Sequence, residues 1–163
     1  METKTDVHDR IVDFIKNSGL IVAQADFERP WGGFFRIQDK DLLHFIDLFF
    51  PDQQELKESA HKLQPKLLAV APGKRLSWQY HNRRSELWKI LEGPVAVMLS
   101  DTDAQTPVKL CKVGDVIEIS LRQRHRLIGL DNWGLVAEIW RHADVNNPSD
   151  ESEIVRVQDD FGR

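Results

Sequence analysis

The chain reads as an all-β protein, a jelly-roll β-barrel with short helical additions, and three observations predict this. From residue 67 onward apolar residues come in short or alternating runs; Pro72-Gly73, Gly93-Pro94, Gly114-Asp115, Gly129 and Asp131-Asn132 punctuate them; and helical periodicity is confined to two brief stretches earlier in the chain. Eight or nine short strands with regular turns argue for a jelly roll or a closed barrel.

The elements follow in order. Over 6–17, Val7, Ile11, Val12, Phe14 and Ile15 recur at three- and four-residue spacing and Ser18-Gly19 supplies a stop, which predicts a short amphipathic helix. A second helical piece begins near the capping signal Pro51-Asp52 and runs over 53–63, with Leu56, Ala60 and Leu63 on one side. Strands are predicted over 67–71, 76–81, 87–91, 95–99, 108–112, 116–119, 125–128, 135–140 and 154–157, with a polar loop over 146–153.

Composition narrows the function classes. A chain of 163 residues, 41% apolar and 29% charged, suits one domain with a real core. The net charge of -4 and pI near 5.9 give no global attraction for nucleic acid or an anionic membrane, so a small-molecule ligand held by local basic groups is expected. No run approaches the roughly 20 apolar residues of a membrane span, and the polar start Met1-Glu2-Thr3-Lys4 is unlike a signal peptide, so a cytoplasmic protein is expected. Cys111 is the sole cysteine, which excludes an internal disulfide and a cysteine-rich zinc site and leaves a packed thiol.

The chemistry concentrates around residue 80. Gln79 and His81 are two apart, so on an extended strand they share a face; Glu86 opens a strand that can fold back beside the first, and His125 brings an imidazole from a distant strand. Such a nitrogen and oxygen set suits one divalent metal ion, zinc foremost, with iron, manganese, cobalt or nickel also fitting. Arg75 shares parity with Ser77, Gln79 and His81 and is expected to face the interior, where an arginine is costly unless it meets an anion. Arg124 and Arg126 are further basic candidates. Trp88 shares the parity of Glu86. Trp78 and Tyr80 alternate to the outer face, where they are expected to pack on the N-terminal helix or another subunit, compatible with a homodimer. His8, His44, His61 and His142 have no ligand spacing.

The frame around these residues resembles a known family. Gly73, five residues, Gln79, one, His81, four, Glu86, six, Gly93 is similar to the first cupin motif, with Gln79 in place of its first histidine; Gly114, ten residues, His125 keeps the spacing of the second, with Ser120, Arg122 and Gly129 departing from it. More narrowly, Arg29-Pro30-Trp31-Gly32, Pro72-Gly73-Lys74-Arg75-Leu76-Ser77, Gln79-x-His81-x-x-Arg84-x-Glu86-x-Trp88, His125-Arg126-Leu127 and the ending Glu153-Ile154-Val155-Arg156-x-x-Asp159-Asp160-Phe161-Gly162-Arg163 resemble the type II mannose-6-phosphate isomerase cupins over about 29–163.

That resemblance implies a metal-dependent aldose–ketose isomerase of a sugar phosphate. Gln79, His81, Glu86 and His125 become the metal ligands, Lys74, Arg84 and Glu138 the candidates for catalysis, and Arg75, Arg84, Trp88 and Arg163 those for substrate binding. An enediol route and a hydride route both remain open. It also implies an N-terminal helical extension over 1–28, packed on a single cupin domain over 29–163 with a helical insertion near 51–64. The 28 residues ahead of the match are too few for a nucleotidyltransferase domain, so a stand-alone cupin is expected. The segment 37–64 is longer than the corresponding link in the family and is expected to form a lid or cover a barrel end, and to bear on substrate choice. Asn82 and Arg83 stand where the family tends to have histidines. Competing readings are an isomerase of a heptose or pentose phosphate, a non-catalytic metal- and sugar-binding cupin, and a metal-free nucleotide-sugar epimerase or ketoisomerase working through a histidine base.

Overall fold

Alternation along the strands sorts the residues into two hydrophobic clusters, and the architecture follows from them. The computed structural model describes residues 2–163. Helix α1 (Lys4–Asn17) opens with a capping box in which the Thr3 hydroxyl accepts from the Asp6 amide and the Asp6 carboxylate accepts from the Thr3 amide. A hairpin, β1 (Val22–Arg29) and β2 (Gly32–Ile37), leads to helix α2 (Leu42–Phe49) and a 3-10 stretch over Gln54–Lys62. Then come β3 (Leu63–Val70), β4 (Trp78–Tyr80), β5 (Arg84–Glu92), β6 (Val95–Ser100), β7 (Lys109–Cys111), β8 (Val116–Ile119), β9 (Arg124–Gly129), β10 (Gly134–His142) and β11 (Val155–Gln158).

The strands form two antiparallel sheets, ordered β1-β2-β3-β10-β5-β8 and β11-β4-β9-β6-β7. Their inner faces meet in one cluster: Phe34, Leu68, Trp88, Ile90, Ile117 and Val136 from the first sheet, and Val95, Val97, Cys111 and Leu127 from the second. This is the expected jelly roll, with Cys111 buried in it. The alternate residues of the first sheet, among them Phe35, Leu67, Ala69, Leu87, Ala137 and Ile139, point outward and are covered by α1, α2 and the 3-10 stretch.

Every strand expected from the alternation is present, and the differences lie mostly upstream. The hairpin β1–β2 and helix α2 go beyond the sequence reading, and the second helical piece is a 3-10 stretch with non-helical backbone at Ser59. The segment 37–64 is not a lid: Leu42, Phe45, Ile46 and Phe49 bury against the outer face of the six-stranded sheet, away from the inner faces where the metal-ligand candidates point. Trp78 does face outward, but its cover is not α1, which packs on the other sheet. The loop over 101–107 folds across it, the Trp78 indole donating to the Asp103 carbonyl at 2.8 Å, while the Arg124 guanidinium stacks 3.8 Å from the Tyr80 ring centroid.

Candidate metal centre

Register brings the four expected ligands together. Gln79 on β4 stands opposite His125 on β9, and Glu86, the third residue of β5, points inward from the facing sheet. Nε2 of His81 and Nε2 of His125 each lie 3.1 Å from the same oxygen, Oε1 of Glu86. All three side chains are buried, and their ligand atoms lie within 4.8 Å of one another. The far side of each ring is tied to a carbonyl: His81 Nδ1 donates to Glu153 at 2.7 Å and His125 Nδ1 to Gln123 at 2.9 Å. Those bonds place the proton on Nδ1 and leave the Nε2 lone pairs facing inward, the arrangement that an imidazole ligand adopts. Among the described residues, Glu86 Oε1 and His125 Nε2 have no hydrogen-bond partner although both are buried. Two acceptors facing each other in a dry interior are unfavourable unless a cation lies between them, so this donor set fits a divalent metal ion. The Gln79 amide nitrogen lies 3.5 Å from His81 Nε2 while its oxygen accepts from the Ser77 hydroxyl; rotation of the amide by a half turn would offer the oxygen instead.

A second carboxyl stands beside the first. Glu138 on β10 accepts from the indoles of Trp88 and Trp140, both at 2.6 Å. Burial, the neighbouring Glu86 charge and the hydrogen bond between the two acids push Glu138 well above the usual carboxylate range. Burial would raise Glu86 as well, but the bond from Glu138 and the Arg84 charge hold it well below that range. The pair thus carries one proton, on Glu138. Burial pushes His81 down, which keeps it neutral and able to bind a metal.

A cavity of about 50 Å³ adjoins this centre, lined by Gln79 and Arg84, by Trp31, Phe34 and Leu76, and by residues of the C-terminal segment. That is space for one or two waters, so a sugar enters only if the cover moves. The cover is β11 and its flanks, since Arg156 on β11 pairs in register with Gln79. Arg84 is buried, stacked 3.6 Å from the Trp140 ring centroid, donating to Ser149 Oγ at 2.8 Å and lying 3.1 Å from His81 Nε2. Arg163 also reaches the cavity, held by Asp159 at 2.9 Å.

Other expected residues are placed elsewhere. Lys74 is exposed on the turn where its carbonyl accepts from the Gly129 amide. Gly129 is four residues from His125, about 13 Å along the strand, so Lys74 is outside the site. Arg75 is not interior: the regular strand starts only at Trp78, and Arg75 turns to Asp160, at 2.7 Å. Trp88 is buried beneath the site, where it holds Glu138 rather than lining the cavity. Arg126 ties β9 to Leu76 and Gln158. The sequence reading missed Arg29, Arg156, Lys66 and Glu151. Arg29 and Arg156 stand in motifs already singled out, Arg29-Pro30-Trp31-Gly32 and the C-terminal run. Lys66 could have been noticed as a charge on the inward parity of Leu68 and Val70.

Comparison with known proteins agrees with the fold. Among solved structures, vicilin from Solanum lycopersicum aligns with a TM-score of 0.56 at 17% identity over 85% of this chain and 36% of its own. Vicilin from Corylus avellana gives 0.57 at 12% over 85% and 36%, and a recombinant oxalate oxidase in complex with glycolate gives 0.50 at 16% over 60% and 47%. The chain spans less than half the length of each, and at these identities the likeness concerns the fold alone. No curated protein sequence matches the chain significantly. The family model of the mannose-6-phosphate isomerase C-terminal domain matches residues 47–159, which take in β3 to β11 and all four expected ligands. With more than half its length in that match, the chain belongs to the mannose-6-phosphate isomerase C-terminal family of cupins.

Proposed function

We propose that the protein is a metal-dependent aldose–ketose isomerase of a sugar phosphate, with mannose 6-phosphate and fructose 6-phosphate as the pair to test first. The observation that carries the reading is the orphaned oxygen of Glu86 between two imidazoles whose Nε2 lone pairs face it, beside an arginine-lined cavity. His81, Glu86, His125 and, after an amide turn, Gln79 would hold the metal. A divalent ion there supplies Lewis acidity to the oxygens on C1 and C2.

The protein groups supply the rest. On an enediol route a base takes the C2 proton and returns it to C1, while the hydroxyl proton passes from O2 to O1. Glu151 is the carboxylate that lines the cavity, and Lys66 fixes it at 2.7 Å, so Glu151 is the base of choice. Glu138, protonated and bound by two indoles, donates to Glu86 and orients it. Arg84, on the rim between the imidazole and the cavity, steadies negative charge developing on the sugar oxygens.

The test is direct: measure bound metal in the purified protein, then assay interconversion of mannose 6-phosphate and fructose 6-phosphate beside a panel of pentose and heptose phosphates. His81→Ala and Glu86→Ala should lose metal and turnover together. A metal-loaded protein that converts no member of the panel would leave only the binding-module reading.

A further inference from the structure

We infer that Arg29, Arg156 and Arg163 form a subsite for a phosphate monoester dianion, with Arg156 at its centre. The inference rests on the sugar-phosphate reading above and goes on to assign the phosphate end of the substrate. Three segments far apart in sequence, the end of β1, β11 and the C-terminal residues, place these guanidinium groups on the wall of the cavity that Gln79 and Arg84 also line. Arg156 faces Gln79 in the antiparallel register, so the two share the inner side of the sheet.

The acids nearby leave this charge uncompensated at one point. Asp26 lies 3.0 Å from Arg29, Asp159 binds Arg163 at 2.9 Å, and Glu151 is taken by Lys66 at 2.7 Å. Arg156 has no carboxylate within 4.0 Å among the described residues, and its buried Nε lacks a hydrogen-bond partner. Arg29 Nε, despite its nearness to Asp26, is misaligned for a hydrogen bond, and Arg84 Nε is also unpartnered. Burial lowers Arg156 and the charge of Arg163 lowers it further; Asp159 acts against them and Arg29 with them, so the guanidinium groups repel one another with only part of that repulsion offset. Packing like charges into a partly dry wall is unfavourable unless an anion joins them. Forked guanidinium donors suit the oxygens of a phosphate better than any single carboxylate.

The experiment is calorimetric titration of the metal-loaded protein with inorganic phosphate, mannose 6-phosphate and mannose. Arg156→Met should weaken binding of both phosphorylated probes at least tenfold, leave bound metal per chain unchanged, and raise KM for the sugar phosphate far more than it lowers kcat. Arg29→Met and Arg163→Met should weaken phosphate several-fold, and Arg156→Lys should recover part of the loss; Arg75→Met, outside the cavity, should change nothing. Melting curves check that each variant folds. Phosphate affinity unaltered in a folded Arg156→Met, or lost equally in Arg75→Met, overturns the subsite. Arg156-dependent phosphate binding without turnover of any sugar phosphate upholds the subsite and sinks the isomerase reading. Turnover with a KM indifferent to Arg156 does the reverse.

Discussion

The Lys66 ammonium holds the Glu151 carboxylate at 2.7 Å, with the lysine side chain 8% exposed and the glutamate side chain 30% exposed. The same ammonium sits 4.1 Å from the Phe34 ring centroid and 4.9 Å from that of Trp140. A lysine on the inner side of an apolar strand is costly alone, and two aromatic faces and one acid make it tenable. The pair fastens the loop between β10 and β11 to the barrel mouth and presents Glu151 to the cavity.

Replacing Glu151 therefore tests position and chemistry at once. Glu151→Gln keeps the shape and removes the charge, leaving Lys66 with a weaker partner; stability should fall by about 1–3 kcal/mol in urea unfolding. Turnover should fall by roughly 10²–10⁴, the range of a lost general base. Bound metal per chain should stay at the wild-type level. Full activity in Glu151→Gln would remove Glu151 from the mechanism.

Glu138 separates a protonated acid from a charged one. Because burial and the Glu86 charge favour the protonated form of Glu138, Glu138→Gln keeps a neutral group of the same shape and should retain the metal, at a cost of about 1–3 kcal/mol for the indole left without an acceptor. Glu138→Ala strands both indoles and opens a cavity, and should cost more, about 3–5 kcal/mol. Thermal unfolding of the metal-free proteins ranks them; equal losses in both variants would mean that Glu138 is ionised.

His142 makes the loop sensitive to acid. Its Nδ1 accepts from the Ser149 amide at 3.0 Å and its Nε2 lies 2.9 Å from the Gln64 amide oxygen, so the neutral ring pins the loop, and Ser149 in turn receives Arg84. Burial pushes His142 below 6.5, reinforced by the charge of Arg84, with Arg36 and Arg83 acting the same way and Asp39 against them. A folded-state pKa below the unfolded value means that the unfolded chain binds more protons. The contribution to stability is then complete above about 6.5 and is lost as pH falls through the folded value. Protection factors over 143–154, that is, exchange rates corrected for the intrinsic slowing of amide exchange in acid, should fall between pH 7.5 and pH 5 in the wild type. A His142→Asn variant should show low protection at both pH values, and an unchanged wild-type protection factor would exclude the device.

Much of this site was legible because its ligands lie on one strand pair and its return strand. The spacing of Gln79, His81 and Glu86 is set by strand period and a short turn, which sequence records. The arginines were harder: Arg29 and Arg156 meet only because β1 and β11 flank the same mouth, a property of topology. Arg75 escapes the parity of Ser77, Gln79 and His81 because that alternation does not extend back to it: regular pairing begins only at Trp78. Helix α2 was hidden because Phe45 to Phe50 is apolar nearly all round, which periodicity cannot assign. β2 is buried on both faces, so it lacks the alternation that exposed the other strands.

Metal removal should rank the ligands by what each touches. Glu86 Oε1 approaches both imidazoles at 3.1 Å, so Glu86→Ala removes the charge that draws a cation between them and should abolish binding. Gln79 is neutral, and its oxygen must first leave Ser77, so Gln79→Ala should weaken binding by a smaller factor, about 10–100-fold, and Gln79→His should retain it. With free metal a hundredfold above its dissociation constant, the folded state gains about 2.7 kcal/mol, which a chelator takes away. The melting temperature of wild type should thus drop on chelation, that of Gln79→Ala should drop less, and that of Glu86→Ala should not move. A chelator-insensitive wild type with bound metal near zero would leave the Glu86 oxygen without a cation and the centre without its metal.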